Sequence, residues 1–122
     1  YRAAALCALE QLRSAPVIFE INTGAISRGW RTTPYPAPWI LQEIRARGGQ
    51  IMINSDSHAV DTLTCAFPDA VKLALDCGFT RVKIITEQGF EDYSLIEANP
   101  AAFAERAMGQ SVHNEIRMSM RT

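Results

Sequence analysis

Two residues near the end of an apolar segment have side chains of the kind that bind metal ions. Asp56 and His58 follow the segment Gln50–Asn54. In extended backbone, residues two apart point to the same side, so the carboxylate and the imidazole could reach one ion. A complete metal site has three or four protein ligands, and this spacing alone is a weak signal. By itself it favours the alternative, in which Asp56 caps a turn and His58 is an ordinary surface or core histidine.

A single carboxylate, Glu20, lies within the apolar segment Val17–Ile21. Burying an unpaired carboxylate is costly, so the side chain needs a partner if this segment is a core strand. Two interpretations are equally supported. In the first, Glu20 faces a polar side of the strand and forms an ordinary ion pair. In the second, it orients a metal ligand or an arginine within a site.

Two arginines, Arg28 and Arg31, flank Gly29 and Trp30 in the segment 22–36. The planar guanidinium group of arginine matches the geometry of a phosphate. One interpretation is an anion pocket completed by backbone N–H groups and nearby hydroxyls; the other is two solvated surface arginines. The nearby hydroxyls belong to Ser27, Thr32 and Thr33.

The three cysteines lie at scattered positions. An odd number without a C-x-x-C pair does not suggest a disulfide framework, which favours a reducing compartment and predicts a cytoplasmic protein. Cys7 and Cys77 fall on the apolar stripes of helical segments and are predicted to be core residues. Cys65 lies in a loop and could approach a metal ion.

Helical and strand patterns alternate along the chain, and these elements must position the residues above. Apolar stripes, first-turn prolines and terminal glycines mark the helices, whereas short β-branched runs mark the strands. The predicted helices cover residues 3–13, Pro38 to Gly48 and Pro68 to Gly78; the predicted strands cover 17–21, 50–54 and 81–86; a hairpin strand at 90–95 and a fourth helix from Asn99 follow.

The order of these elements predicts an α/β fold with parallel strands and right-handed crossovers. The connections after the helices are short, whereas those after the first two strands are the long segments 22–36 and 55–66. Loops of that length in a compact domain are usually functional. Both leave the carboxyl ends of strands, where parallel α/β proteins place their sites. The predicted fold therefore brings the segments of Arg28 and Asp56 to one edge.

Composition excludes several classes of function. Hydrophobic residues make up 48% of the 122 residues, which is enough for a core. The 12 basic and 13 acidic residues are well mixed, so neither nucleic-acid binding nor a polybasic membrane contact is supported. No apolar run approaches the roughly 20 residues that span a bilayer. The chain begins with Tyr1 rather than Met, which suggests a piece of a longer protein.

Three segments occur in an order and at spacings that carry a family resemblance. They are Glu20–Gly29 (EINTGAISRG), Thr33–Pro36 (TPYP) and Asn54–His58 (NSDSH). As a set, with a helix between the second and third, they resemble the carboxyl-terminal part of histidinol-phosphatases of the polymerase and histidinol phosphatase (PHP) superfamily. The resemblance runs from Val17 to about Leu95.

The resemblance implies a particular architecture. Residues 1–95 would be the C-terminal segment of a seven-stranded, TIM-like PHP-type (β/α) barrel, with parallel strands and flanking helices. Residues 96–122 match no pattern of the family and are predicted to be a helical C-terminal extension. Open strand edges in such a segment would lead the isolated chain to self-associate.

The resemblance also implies roles for individual residues. Asp56 and His58 would bind divalent metal ions (Zn, Mn or Fe), in a family that holds up to three of them. Arg28 would contact the phosphate of the substrate. Glu20, Asn22 and Thr23, which match the family's pattern at the end of a strand, would shape the site.

The function implied is that of a metal-dependent phosphomonoesterase, which hydrolyses histidinol phosphate in histidine biosynthesis. The family's early H-x-H and its middle His and Glu ligands are absent from these residues, so no catalytic residue is assigned and the isolated chain is expected to be inactive. The expected partner is a small phosphorylated substrate, without nucleic acid or membrane. The alternatives are an incomplete PHP-like phosphate-binding or interaction module, and a PHP phosphoesterase that acts on nucleotides.

Overall fold

A computed structural model describes residues 1–96 and 102–106 of the chain. Its elements are, in order, α1 (Arg2–Leu12), β1 (Ile18–Asn22), α2 (Gly24–Ser27), α3 (Pro38–Ala46), β2 (Gln50–Asn54), a 3₁₀ turn (Val60–Thr62), α4 (Phe67–Asp76), β3 (Arg81–Thr86) and β4 (Gly89–Ser94). The predicted first three helices, three strands and hairpin strand are thus confirmed. Residues 102–106 are helical, and the rest of the predicted C-terminal helix lies outside the described residues.

Local signals explain where the two central helices begin and end. Pro38 and Pro68 lie in the first turns of α3 and α4, where a missing N–H costs nothing. Gly48 and Gly78 follow the ends of the same helices with φ of +74° and +89°. These left-handed conformations are strained for other residues, so the glycines end both helices close to the strands that follow.

The strands form two pairs. β1 and β2 are parallel, in register from Ile18 opposite Gln50 to Asn22 opposite Asn54, as predicted. β3 lies beside β2, but its hydrogen-bonded ladder is with β4, in an antiparallel hairpin. The predicted hairpin is thus confirmed, and no ladder joins β3 to β2 among the described residues, so the parallel arrangement of β3 with the first two strands stays a prediction. The seven-stranded barrel remains a proposal.

The hydrophobic core lies on one face of the strands. Ile21, Ile51 and Ile53 are buried there, together with core residues of the helices and of β3: Leu9, Leu41, Ile44, Ala70, Val71, Ala74, Val82 and Ile84. Because successive side chains of a strand point to opposite faces, Glu20, Asn22 and Asn54 project from the other face. The polar strand-end residues are thereby separated from the core.

The structure adds one element to the segment 22–36, the one-turn helix α2, and corrects one expectation about the core. Cys7 is exposed rather than part of the core, because Leu9 is the residue that α1 buries. Phe103, by contrast, is buried, with its ring centre 5.6 Å from that of Phe67. Every helix among the described residues is too short or too polar to cross a membrane.

Candidate functional site

The carboxyl ends of β1 and β2 carry a small polar cluster built around Glu20. Its carboxylate accepts hydrogen bonds from the side-chain amides of Asn22 and, at 3.0 Å, of Asn54. Glu20 is exposed, and no ion pair involves it among the described residues. Glu20 thus faces the polar side of the strand, as the first interpretation has it, but its partners among the described residues are two asparagines rather than a charged group.

Thr23 and Gly24 connect the end of β1 to the loop after β2. The backbone N–H of Thr23 donates to the carbonyl of Asn54 at 2.9 Å, and that of Gly24 donates to Asn22 Oδ1 at 2.8 Å. Thr23 is fully buried, and its hydroxyl has no hydrogen-bond partner among the described residues. The backbone of Thr23 therefore joins the end of β1 to the end of β2.

Gly24 is a site residue that sequence reasoning missed. A Cβ atom at this position would lie 2.7 Å from the carbonyl oxygen of Ser55, 2.7 Å from Arg28 Nη2 and 3.1 Å from Asn22 Oδ1. Real Cβ contacts are essentially never as short as the first two, so only glycine allows α2 to approach the β2 loop this closely. The sequence shows that a glycine follows the first strand closely, but it does not show that the Ser55 carbonyl approaches this glycine in space.

Arg28 and Asp56, predicted separately as a phosphate ligand and a metal ligand, are in direct contact. Nη2 of Arg28 lies 3.0 Å from Asp56 Oδ2, and Nη1 donates to the backbone carbonyl of Asp56 at 3.2 Å. The two side chains are 32% and 53% exposed, so the pair is open to solvent on one side. Asp56 has a φ of +47°, and the guanidinium braces the loop at this uncommon backbone conformation.

Asp56 and His58 lie close together, although the extended backbone that their spacing assumed is absent at Asp56, which has a φ of +47°. Nε2 of His58 is 3.9 Å from Asp56 Oδ1, and the imidazole is 80% exposed. One ion with bonds of about 2.1 Å could contact both atoms, so the pair fits a divalent metal as two of its ligands. No group of three or more His, Cys, Asp or Glu side chains able to hold a metal occurs within the described part of the chain. Two ligands leave such an ion incompletely held.

The second arginine of the predicted anion pocket points elsewhere. Arg31 donates to the carbonyl and the hydroxyl of Thr33, and its Cζ lies 4.1 Å from the ring centre of Tyr35. Ser27 donates its hydroxyl to the carbonyl of Gly24. The two arginines therefore do not converge, and Arg28 alone lies beside the candidate metal ligands.

Comparison with known proteins gives one partial relationship. No family model matches the chain. A stretch of 68 residues is 34% identical to a probable histidinol-phosphatase of Schizosaccharomyces pombe, and it covers 56% of this chain and 22% of that protein. The match thus spans about a fifth of the curated relative's length. It supports a histidinol-phosphatase-like relationship and, weakly, a phosphatase enzyme.

Proposed function

We propose that this chain is the C-terminal segment of a metal-dependent phosphomonoesterase that hydrolyses histidinol phosphate. The observation that carries the proposal is the contact of Arg28 with Asp56, 3.0 Å between Nη2 and Oδ2, with His58 beside them. A guanidinium thus lies next to a carboxylate and an imidazole at the carboxyl ends of two parallel strands, an arrangement suited to one phosphate ligand and two metal ligands. The partial similarity to a probable histidinol-phosphatase supports the same reaction class.

The metal ligands of this segment would be Asp56 and His58. A mixed oxygen and nitrogen set suits Zn, Mn or Fe. The further ligands would come from parts of the enzyme outside these residues, in the seven-stranded barrel proposed above. When bound, such ions polarise a phosphoryl oxygen and lower the pKa of a bound water, which makes it a nucleophile at neutral pH.

Arg28 has the donors to bind the phosphate and brace Asp56 at once. Its guanidinium carries five N–H groups, and the contacts with Asp56 involve one of them at each terminal nitrogen. The remaining donors can reach phosphate oxygens, where a fixed positive charge stabilises the charge that develops during hydrolysis. Arg28 would therefore couple the position of the phosphate to that of a metal ligand.

The test uses the full-length protein that carries this segment, with histidinol phosphate as substrate. Asp56→Ala and His58→Ala should each lower the bound metal and the phosphatase activity together. Arg28→Ala should lower the activity, and Arg28→Lys should restore it only partly. The lysine ammonium keeps the positive charge but cannot make the two parallel hydrogen bonds that a planar guanidinium makes to a phosphate. Arg31→Ala is the matched control, since this arginine of the same loop contacts Thr33 instead. Wild-type metal content in both the Asp56 and the His58 variants would contradict the ligand assignment.

The alternatives give different results in the same assays. A phosphate-binding module would bind phosphate through Arg28 without hydrolysing any monoester, even in the full-length protein. A nucleotide phosphoesterase would hydrolyse a nucleotide faster than histidinol phosphate. The isolated 122-residue chain should show no hydrolysis, since two ligands hold a metal poorly.

A further inference from the structure

Three residues of the loop after β2, Ser57, Ala59 and Thr62, form a compact hydroxyl cluster. Ser57 Oγ lies 2.6 Å from the Ala59 carbonyl oxygen and 2.6 Å from Thr62 Oγ1. Thr62 Oγ1 lies 3.1 Å from the same carbonyl oxygen, and the backbone N–H of Ala59 donates to Ser57 Oγ at 3.2 Å. The two hydroxyls and the backbone of Ala59 thus form a closed set of hydrogen bonds.

The candidate metal ligand His58 is the residue between Ser57 and Ala59. Its imidazole is 80% exposed, so packing against the rest of the protein does little to fix the ring. The position of the ring therefore depends mainly on the backbone at either side of His58. Because the hydrogen bonds of the hydroxyl cluster join the residue before His58 to the residue after it, they restrict that backbone directly.

We infer that Ser57 is a positioning residue that holds His58 in place for a metal ion, with Thr62 as its support. The inference rests on the proposed function and adds to it the residues that orient one of the two metal ligands. Removing a partner that orients a ligand side chain typically weakens metal binding about 10- to 100-fold. Arg28 braces Asp56 through separate contacts, so each of the two ligands has its own support.

Thr62 connects the hydroxyl cluster to the core of the protein. Its backbone N–H donates to the Ala59 carbonyl at 3.2 Å, and its own carbonyl accepts from the N–H of Cys65 at 3.2 Å. The chain then enters α4, whose first residue, Phe67, is buried. The contact between the two hydroxyls is itself partly buried, where a hydrogen bond is stronger than in water. Ser57 is thus joined through Thr62 to an element that the core holds in place.

The distance between the two candidate ligands explains why His58 needs such support. Nε2 of His58 is 3.9 Å from Asp56 Oδ1. Two bonds of about 2.1 Å to one shared ion span at most roughly 4.2 Å. At fixed side-chain torsions, a shift of His58 by more than about 0.3 Å away from Asp56 therefore puts the two atoms beyond the reach of one ion. The hydrogen bonds on both sides of His58 oppose a shift of this size.

The experiment measures Co²⁺ binding by the full-length protein that carries this segment, because the absorption bands of Co²⁺ report on its coordination. We expect Ser57→Ala to raise the Co²⁺ dissociation constant about 10-fold and to change the absorption spectrum of the complex. Ser57→Thr keeps a hydroxyl and should stay within about 3-fold of the wild type, a rescue that points to the hydrogen bonds.

Two threonine variants complete the comparison. Thr62→Val should give a smaller rise than Ser57→Ala, since Ser57 still contacts Ala59 on both sides of its peptide unit. Thr64→Val is the matched control in the same loop, because the hydroxyl of Thr64 forms none of the contacts of the hydroxyl cluster. It should leave the Co²⁺ dissociation constant unchanged.

Double variants separate this inference from the proposed function. In a His58→Ala background, Ser57→Ala should weaken Co²⁺ binding no further, because the ligand that Ser57 positions is gone; in an Asp56→Ala background its effect should persist. A wild-type dissociation constant in Ser57→Ala, or a loss of full size that remains without His58, would overturn the inference while the ligand assignment stands. If Ser57→Ala does not fold, Thr62→Val is tested in the same two backgrounds with the same criteria. A His58→Ala protein that binds Co²⁺ as tightly as the wild type would show that the ligand assignment itself is wrong, and the inference would fall with it.

Discussion

Replacing Gly24 by alanine should both destabilise the chain and displace Arg28. The new methyl group would lie 2.7 Å from two atoms, the Ser55 carbonyl oxygen and Arg28 Nη2. The guanidinium is the far end of a flexible side chain and can move away. The carbonyl belongs to the backbone directly after β2, so α2 and this loop must separate for the methyl to fit.

The magnitude follows from three effects. Overpacking at a closely packed position costs about 1–3 kcal/mol. Alanine regains at most about 1 kcal/mol of helix propensity over glycine, and less in a one-turn helix. Loss of the exposed Arg28–Asp56 pair adds roughly 0.2–1 kcal/mol. We therefore expect the free energy of unfolding to fall by about 1–2 kcal/mol, which is roughly 4–10 °C in Tm for a chain of this size.

Thermal unfolding followed by circular dichroism measures this loss, and a phosphate titration measures the effect on Arg28. Gly29→Ala is the matched control, because Gly29 has a φ of +72° and no heavy atom lies within 4 Å of the place that its new methyl group would take. That variant should lose about 1 kcal/mol through backbone strain alone and keep its phosphate affinity.

A double variant, Gly24→Ala with Arg28→Ala, shows which of the two close atoms, the Ser55 carbonyl oxygen or Arg28 Nη2, causes the loss of stability. If the Ser55 carbonyl dominates, Gly24→Ala should cost nearly as much free energy in an Arg28→Ala background. A Gly24→Ala chain as stable as the wild type, with unchanged phosphate affinity, would refute the close approach on which the site geometry depends.

Three further predictions address stability and assembly. Thr23→Val should leave the free energy of unfolding unchanged or raise it by about 1 kcal/mol, because it removes a buried hydroxyl without a partner among the described residues; a clear loss in urea unfolding would contradict this. The Lys83 ammonium lowers the pKa of Asp92 below 3.8, so this pair stabilises the fold above that pH and the gain is lost as the pH falls through the lowered pKa. The free energy of unfolding of Asp92→Asn should therefore fall less than that of the wild type as the pH is lowered, and equal falls in the two proteins would contradict the stabilising pair. Within the described part of the chain, the outer edge of β1 is paired only at Asn22, with Tyr35, so the isolated chain should self-associate through this edge; light scattering that shows a monomer at high concentration would disprove it.

The sequence by itself determined the helices and strands and the loops that leave the strand ends. Pro38 and Pro68 mark helix starts, and Gly48 and Gly78 mark helix ends, because these residues restrict or permit backbone angles locally. The parallel pairing of β1 with β2 also followed from the order of elements. The spacing of Asp56 and His58 marked them as a pair, but their actual proximity arises in a loop where Asp56 has a φ of +47°, not in extended backbone.

Only the tertiary structure decided how the loops meet. Arg28 and Asp56 are separated by 28 residues, and their contact depends on the register of β1 against β2 and on the close approach at Gly24. The same register places Asn54 within hydrogen-bond distance of Glu20, a partner that neither interpretation of the carboxylate included. Such contacts depend on the relative positions of elements far apart in the chain, and these positions cannot be predicted from the spacing of residues along the sequence.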